Sequence, residues 1–449
     1  MSPRRPAVRP GSSWRFPQPS SRRLDNGMNV DRFDLPGQRV VTMTLLVDAP
    51  LTAEPCDLEG VAALAMQCCD EGTNTHPGAA LTEALEGCGA ATTSAGARLD
   101  GARLTVEAPA TRLQQALPLF AELITQPAFA DADVARLVDD RLLAIATGLS
   151  SPPVCATKAA YACFGDHRLA RPVGGSADTV PRLTPSALHA WHQAAVRPNR
   201  ARLVLAGDLP DDIDATIDAA FGTWLAAEGT APLPGPIAPP GPPSGRVVVV
   251  DHPDAAQASL RLATLLPSRS GQDWPALQVA NAVVGGTFGS RLNQVLREER
   301  GLTYGANSGL APTRDVAIFM AQAECRVEVA AEALALSLDL LDLTACPLSP
   351  DETHDAIAYI LGATPLRLDT ADAIAAQASE FALGGVPATW FDDYIANLAQ
   401  VTADDATAAF TRHVRPSGLV VALCGPADQL VPQLQAAGHT VDIVTVGNH

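Results

Sequence analysis

The 449-residue sequence predicts an α+β protein of two homologous tandem domains, each a mixed or antiparallel sheet with helices packed on one face. Three observations carry that prediction. The length suits two domains of about 200 residues each better than one. The stretch APLPGPIAPPGPPSG (231–245) holds seven prolines between Pro232 and Pro243, which excludes a helix or a central strand and implies a stiff extended spacer. The segments on either side repeat one another: VRPNRARLVLAGDL (196–209) matches VRPSGLVVALCGPA (414–427) at an offset of 218, and ALPLFAELI (116–124) matches ALALSLDLL (333–341) at 217. DADVARLVDDRLLAIA (131–146) parallels SPDETHDAIAYILGA (349–363) at nearly the same distance, so one unit is duplicated. The expected boundaries are a basic disordered tail over 1–23, domains over 24–229 and 246–449, and a linker over 230–245.

Within the first unit the elements follow from local pattern. Asn26-Gly27 marks a turn, and in VVTMTLLVDAP (40–50) Val41, Met43, Leu45 and Val47 share one face of a strand. LEGVAALAMQCCDEG (58–72) reads as a helix closing at Gly72. Residues 92–107 alternate as two strands around Asp100-Gly101. In TRLQQALPLFAELITQP (111–127) Leu113, Leu117, Phe120 and Ile124 fall on one helical face, and 131–147 forms a further helix. RARLVLAGDL supplies a closing strand. The N-terminal segment, rich in Arg, Ser and Pro without an apolar run, reads as a disordered tail rather than a secretion signal.

Composition narrows function. No run approaches the roughly 18 apolar residues needed to span a bilayer. The net charge of −18 argues against nucleic acid as a partner and is compatible with attraction of basic peptides or simply with solubility. Arginine dominates the basic residues, Lys158 being the only lysine. Nine scattered cysteines without a C-x-x-C pair suit reduced thiols and a cytoplasmic location. Neither G-x-S-x-G nor a recognisable cysteine-nucleophile context occurs. His189 and His192, in HAWH, lack an acidic partner at ligand spacing, and the other histidines are isolated. GGTFG (285–289) has neither the preceding strand nor the Lys-Ser/Thr of a phosphate cradle.

One stretch remains, GGTFGSRLNQVLREERGLTYGANS (285–308). It resembles the second-domain signature of the inverted-zincin metallopeptidases: insulinase, pitrilysin, mitochondrial processing peptidase and small bacterial relatives. The resemblance covers nearly the whole chain after the tail and implies the same duplicated α+β architecture, half of a clamshell chamber. In that family an Arg and a Tyr seven residues apart, around a Gly, face the zinc of another domain. Here they are Arg297 and Tyr304, around Gly301. The residue types suit the chemistry, because peptide hydrolysis builds negative charge on the scissile carbonyl oxygen. A phenol offers a neutral donor and a guanidinium a permanently charged fork. The competing account is that Arg297 offsets a helix C-terminus or pairs with an acid, and that Tyr304 fills core.

The resemblance also implies His-x-x-Glu-His on the first helix of domain 1. The flanking Gly60-Val61-Ala62 and Gly72-Thr73 are present. The ligand positions hold Ala63 and Gln67, the base position Met66, and the third-ligand position Ala144. No cofactor is expected in this chain, and zinc is expected in a partner subunit. The resemblance therefore implies the zinc-lacking subunit of a heterodimeric zinc metallopeptidase, inactive alone, paired with a homologue carrying His-x-x-Glu-His. It would act on an extended peptide, in peptide or leader-peptide processing. The alternative is a catalytically inert scaffold or peptide-binding protein on the same fold.

Overall fold

The computed structural model describes residues 14–225 and 245–445. Two six-stranded sheets organise them. The first contains β1 (Ser20–Arg23), β2 (Asn29–Asp34), β3 (Val40–Val47), β4 (Ala91–Arg98), β5 (Gly101–Pro109) and β6 (Ala201–Gly207), in the order β1-β2-β6-β3-β5-β4. The second contains β7 (Val247–Asp251), β8 (Ala258–Pro267), β9 (Thr303–Pro312), β10 (Val316–Cys325), β11 (Val420–Gly425) and β12 (Val441–Val444), in the order β12-β7-β11-β8-β10-β9. Without the outermost strand at one edge of each, β2-β6-β3-β5-β4 and β7-β11-β8-β10-β9 are one topology used twice. In both, the entering strand is parallel to the last strand of the shared set and the remaining pairs are antiparallel. The duplication read from the offset of about 218 residues is therefore a duplication of sheet order.

Each sheet buries one face under helices of its own domain. Val41, Met43, Leu45 and Val47 of β3 meet the helix Leu113–Thr125, whose Leu113, Leu117, Phe120 and Ile124 are all buried. A side-chain period of two puts Leu46 on the opposite face, where a different partner covers it. That partner is the helix Ala371–Leu383 of the second domain, packing Ile374, Ala375 and Phe381 against Phe33, Leu46 and Val204. The exchange is reciprocal: the helix Pro152–Ala162 of the first domain lays Cys155, Ala156, Ala159 and Ala160 on Val248, Ala263 and Ala422 of the second sheet. Small side chains let that helix approach the sheet closely. With about 1.5–3 kcal/mol for each fully buried large apolar side chain, this exchange ties the domains together more firmly than surface contact would.

Two sequence expectations change. Of the expected disordered tail (1–23), residues 14–23 are ordered: β1 pairs Ser20 opposite Arg32, and Phe16 is 1% exposed. Its ring meets Phe33, Phe381 and Phe391 edge-on at 5.4–5.8 Å. Proline spacing that forbids a helix does not forbid an extended strand, and the aromatics supply the burial. The linker expected over 230–245 lies outside the described residues except for Gly245. The helix expected over 58–72 is confined to Val61–Cys68. Gly60, at φ +99°, breaks the chain before it, and Glu54 Oε1 accepts the Ala62 N–H at its start. Among the described residues no helix is long and apolar enough to cross a membrane.

Candidate functional site

The connection from β8 to β9 is built from broken helical turns. The helix Trp274–Asn281 runs into a wide turn at Ala282–Gly286. A short helical turn, Arg291–Asn293, then opens into a second wide turn, Gln294–Glu299. The widening is visible in hydrogen bonds from Arg300 N to Val295 O (3.0 Å) and from Leu302 N to Leu296 O (2.8 Å), longer spans than the ordinary four-residue step. Gly301 adopts φ +61°, a left-handed conformation that reverses the chain into β9. Gly285 permits close approach to β9, since a Cβ there would come 2.3 Å from Ser308 Oγ.

This turn carries both expected donors. Arg297 sits on the second wide turn, about one-third exposed, and Tyr304 opens the edge strand β9 with 92% of its surface exposed. Tyr304 therefore does not fill core. Arg297 has an acidic neighbour, Glu298, at 3.2 Å, on a pair open to solvent. Its guanidinium also lies over the Phe288 ring, 4.8 Å from the centroid, and Phe288 is itself 77% exposed. The aromatic face and the exposed Glu298 together orient the guanidinium at the surface, where solvent-exposed contacts are easily exchanged for another planar acceptor.

Two residues brace the arrangement. Asn293 is buried; its amide donates to Phe288 O (2.7 Å) and its carbonyl oxygen accepts from Ala306 N (3.4 Å). It joins the loop of Phe288, the turn of Arg297 and the strand of Tyr304. Arg291 fixes the same segment to the helix Pro350–Arg367 through paired 2.7 Å bonds to Glu352, and to the loop before it through bonds to Cys346 O and Pro347 O. The hydrogen bonds from Arg291 hold the Glu352 carboxyl down at about 2. Neither Phe288 nor Asn293 is among the site residues expected from sequence. The signal for Phe288 is a large aromatic inside a glycine loop, where burial is hard to arrange; for Asn293 it is a polar residue on the apolar face beside Leu292 and Leu296.

The first domain presents the opposite picture. Ala63 and Met66 are buried, and Gln67 is held by Arg141, whose Nη2 donates to Oε1 at 2.8 Å. Ala144, one turn beyond Arg141 on the helix Asp131–Leu149, is exposed and carries no donor. These positions do not fit a zinc ion: two lack any ligand atom, one offers a buried thioether, and the only good oxygen is engaged by a cation. Nearby Cys68 is pushed up to about 12, first by burial, so it stays a thiol. Burial likewise raises Asp70 to about 6. Among the described residues no three His, Cys, Asp or Glu side chains cluster as metal ligands. His192 is buried with Nε2 at 2.8 Å from Ile124 O, and burial pulls it down to about 4. His76 pairs with Glu122 at 2.9 Å.

Comparison with known proteins identifies the family and the fold. Residues 34–173 match the family model of the insulinase peptidases (peptidase family M16), and residues 182–360 match that of the peptidase M16 inactive domain. An uncharacterized zinc protease of Streptomyces coelicolor is 30% identical over 260 residues, 56% of this chain and 55% of that protein. The chain thus spans just over half the length of this curated relative. The crystal structure of a peptidase M16 inactive domain from Pseudomonas fluorescens superposes with a TM-score of 0.82 at 25% identity, covering 91% of this chain and 98% of that one. A protease from Helicobacter pylori shares the fold with a TM-score of 0.83 at 16% identity, covering 92% and 100%. With both halves matched by models of the same family and nearly the full length superposing on one of its structures, the chain belongs to the M16, insulinase-like peptidase family.

Proposed function

We propose that this chain is the zinc-lacking subunit of a two-chain M16 peptidase and supplies Arg297 and Tyr304 to a site whose zinc is held by a homologous partner carrying His-x-x-Glu-His. The observation that carries this reading is the contrast of exposure. The positions where a metal helix would coordinate are sealed or occupied, while a guanidinium and a phenol stand open on one braced turn at a sheet edge. A phenol 92% exposed contributes little to folding and is free to donate to a substrate carbonyl.

Within the assembled pair, the two side chains would bind the carbonyl of an extended peptide and stabilise the charge that develops on its oxygen. Neither needs to move a proton: the guanidinium stays charged, and the phenol donates while remaining neutral. The exposed Phe288 face beside them offers an apolar contact to the substrate chain. Zinc, in the partner, would activate the attacking water. Peptide or leader-peptide processing, in the cytoplasm, is the class of reaction this division of labour serves.

The test is reconstitution. This chain is mixed with a zinc-bearing M16 homologue and cleavage of a fluorogenic peptide is followed. Arg297→Ala and Tyr304→Phe should each lower turnover on the order of 10²-fold, the usual cost of one lost oxyanion donor, with assembly intact by gel filtration. A mixture that cleaves no faster than the homologue alone, or variants that cleave as well as the parent, would leave an inert scaffold as the better account.

A further inference from the structure

A second feature lies far along the chain from the Arg297 turn. A cavity of about 690 Å³ opens between the helix Pro152–Ala162, the loop that follows it, and the outer face of the second sheet. Its volume falls in the range of small-molecule sites, which are apolar with a few placed polar groups. The walls are carbon: Leu99, Leu169, Val248, Ile318 and Val444 come from both domains. The charges are one-sided. Lys158, Arg168, Arg171 and Arg246 line it, and no Asp or Glu does, in a chain with 49 acidic residues against 31 Lys and Arg. A random patch of so acidic a protein would carry carboxylates.

Three of the four cations are already matched by acids outside the lining. Arg168 bonds Glu54 at 2.9 Å, Arg171 bonds Glu59 at 2.7 Å, and Arg246 bonds Asp442 at 2.9 Å. Lys158, the chain's single lysine, has no hydrogen-bond or ion-pair partner among the described residues. The Tyr161 hydroxyl, one turn along the same helix, also lacks a hydrogen bond there, and burial of its ring raises its pKa, which keeps it a neutral donor.

We infer that this cavity is a binding site for a small amphiphilic anion, an apolar chain ending in one carboxylate. The carboxylate would be held by the Lys158 ammonium and the Tyr161 hydroxyl. A single unmatched cation suits one negative charge, whereas a phosphate dianion would need a further free guanidinium. A cationic or neutral amphiphile would leave Lys158 unpaired against apolar walls, which costs desolvation without return. The overall charge of −18 repels anions at long range, so selection rests on these local groups. The inference does not depend on the peptidase reading.

Calorimetric titration of the purified full chain with dodecanoate, dodecanol and dodecyltrimethylammonium, each below its micellar concentration, tests it. Dodecanoate should bind one to one, at least tenfold tighter than dodecanol, and the cation should show no saturable binding. Lys158→Met should weaken dodecanoate roughly tenfold, the scale of a charge-assisted hydrogen bond, while leaving dodecanol unchanged. Val173→Trp, at the partly exposed mouth, should weaken both without lowering the melting temperature. Equal affinity for dodecanoate and dodecanol, an unaltered Lys158→Met variant, or no saturable dodecanoate binding would each overturn the assignment.

Discussion

The two domains use one topological slot in opposite ways. In the first, the connection between β3 and β4 carries the regular helix Val61–Cys68, with seven of its eight residues buried. In the second, the equivalent connection between β8 and β9 is broken into wide turns that lift Phe288, Arg297 and Tyr304 to the surface. One slot is built for packing: Ala63 and Met66 are what a core accepts, and Arg141 closes the polar remainder through Gln67. The other slot keeps irregular backbone and exposed aromatics, neither of which improves folding. Irregularity that stability does not explain is what the proposed role of this turn as a working surface requires.

The largest expected effect asks whether the first slot is truly sealed. Met66→Glu puts a carboxylate where 1% of the side chain reaches water, and an unpaired buried charge costs about 3–5 kcal/mol. Urea unfolding should show that loss, while Tyr304→Phe in the second slot stays within about 0.5 kcal/mol of the parent. A Met66→Glu protein as stable as the parent would mean that water reaches the helix Val61–Cys68 and that the contrast is false.

Next in size is the brace of the second slot. Asn293→Ala removes a donor to Phe288 O and an acceptor for Ala306 N inside a buried pocket, at an expected cost of about 1–3 kcal/mol. In the reconstituted enzyme it should also lower kcat more than it raises KM, because Asn293 touches no substrate and acts only by holding the donors in place. Unchanged turnover in a destabilised protein would reduce Asn293 to a packing role.

How much of this contrast is legible in sequence depends on what kind of signal each part leaves. The strands and helices of the core announce themselves by period: Leu113, Leu117, Phe120 and Ile124 lie on one helical face and are buried as such. The duplicated sheet order follows from repeats at a constant offset. The reciprocal helix exchange does not, because the helix Pro152–Ala162 is alanine-rich with little amphipathic contrast, and nothing local says which sheet it joins. Arg141 is hidden for a related reason: a charged residue on a solvent-facing helix reads as surface until the neighbouring helix supplies Gln67. Arg297 and Tyr304 stand out through glycines and spacing, whereas the ring of Phe288 under the guanidinium is a tertiary fact.

A smaller effect concerns where equivalent parts of the two domains touch. The turn between β4 and β5 meets the turn between β9 and β10: Arg314 N donates to Asp100 Oδ2 at 2.9 Å, and the Arg314 side chain reaches Asp48 at 2.8 Å. Burial raises Asp100 from 3.8 to about 6. The folded chain therefore holds a proton there that the unfolded chain has released, between about pH 4 and 6. Stability from this group is greatest at the acid end of that window and is lost as pH rises through 6. Asp100→Asn keeps an acceptor for Arg314 N and removes the ionisation. It should be about 1–2 kcal/mol more stable than the parent at pH 7.5 and indistinguishable from it near pH 4. Equal stabilities at both pH values would show that Asp100 is freely hydrated and that the two turns do not seal against each other.

The smallest effect bears most directly on how the second slot works. An exposed cation–π contact is worth about 0.5–1 kcal/mol, so Phe288→Ala should leave the melting temperature unchanged and lower turnover of the reconstituted pair only about two- to fivefold. Its direction is what matters. Without the ring, only the existing pair with Glu298, at 3.2 Å, directs the guanidinium, and the loss should grow at low salt, where that exposed pair is strongest, and shrink as salt screens it. Phe288→Tyr should restore the parent rate and Phe288→Leu should not, since only an aromatic face attracts the guanidinium. If leucine serves as well as tyrosine, the ring is merely an apolar contact for substrate, and the aromatic face does not position the guanidinium.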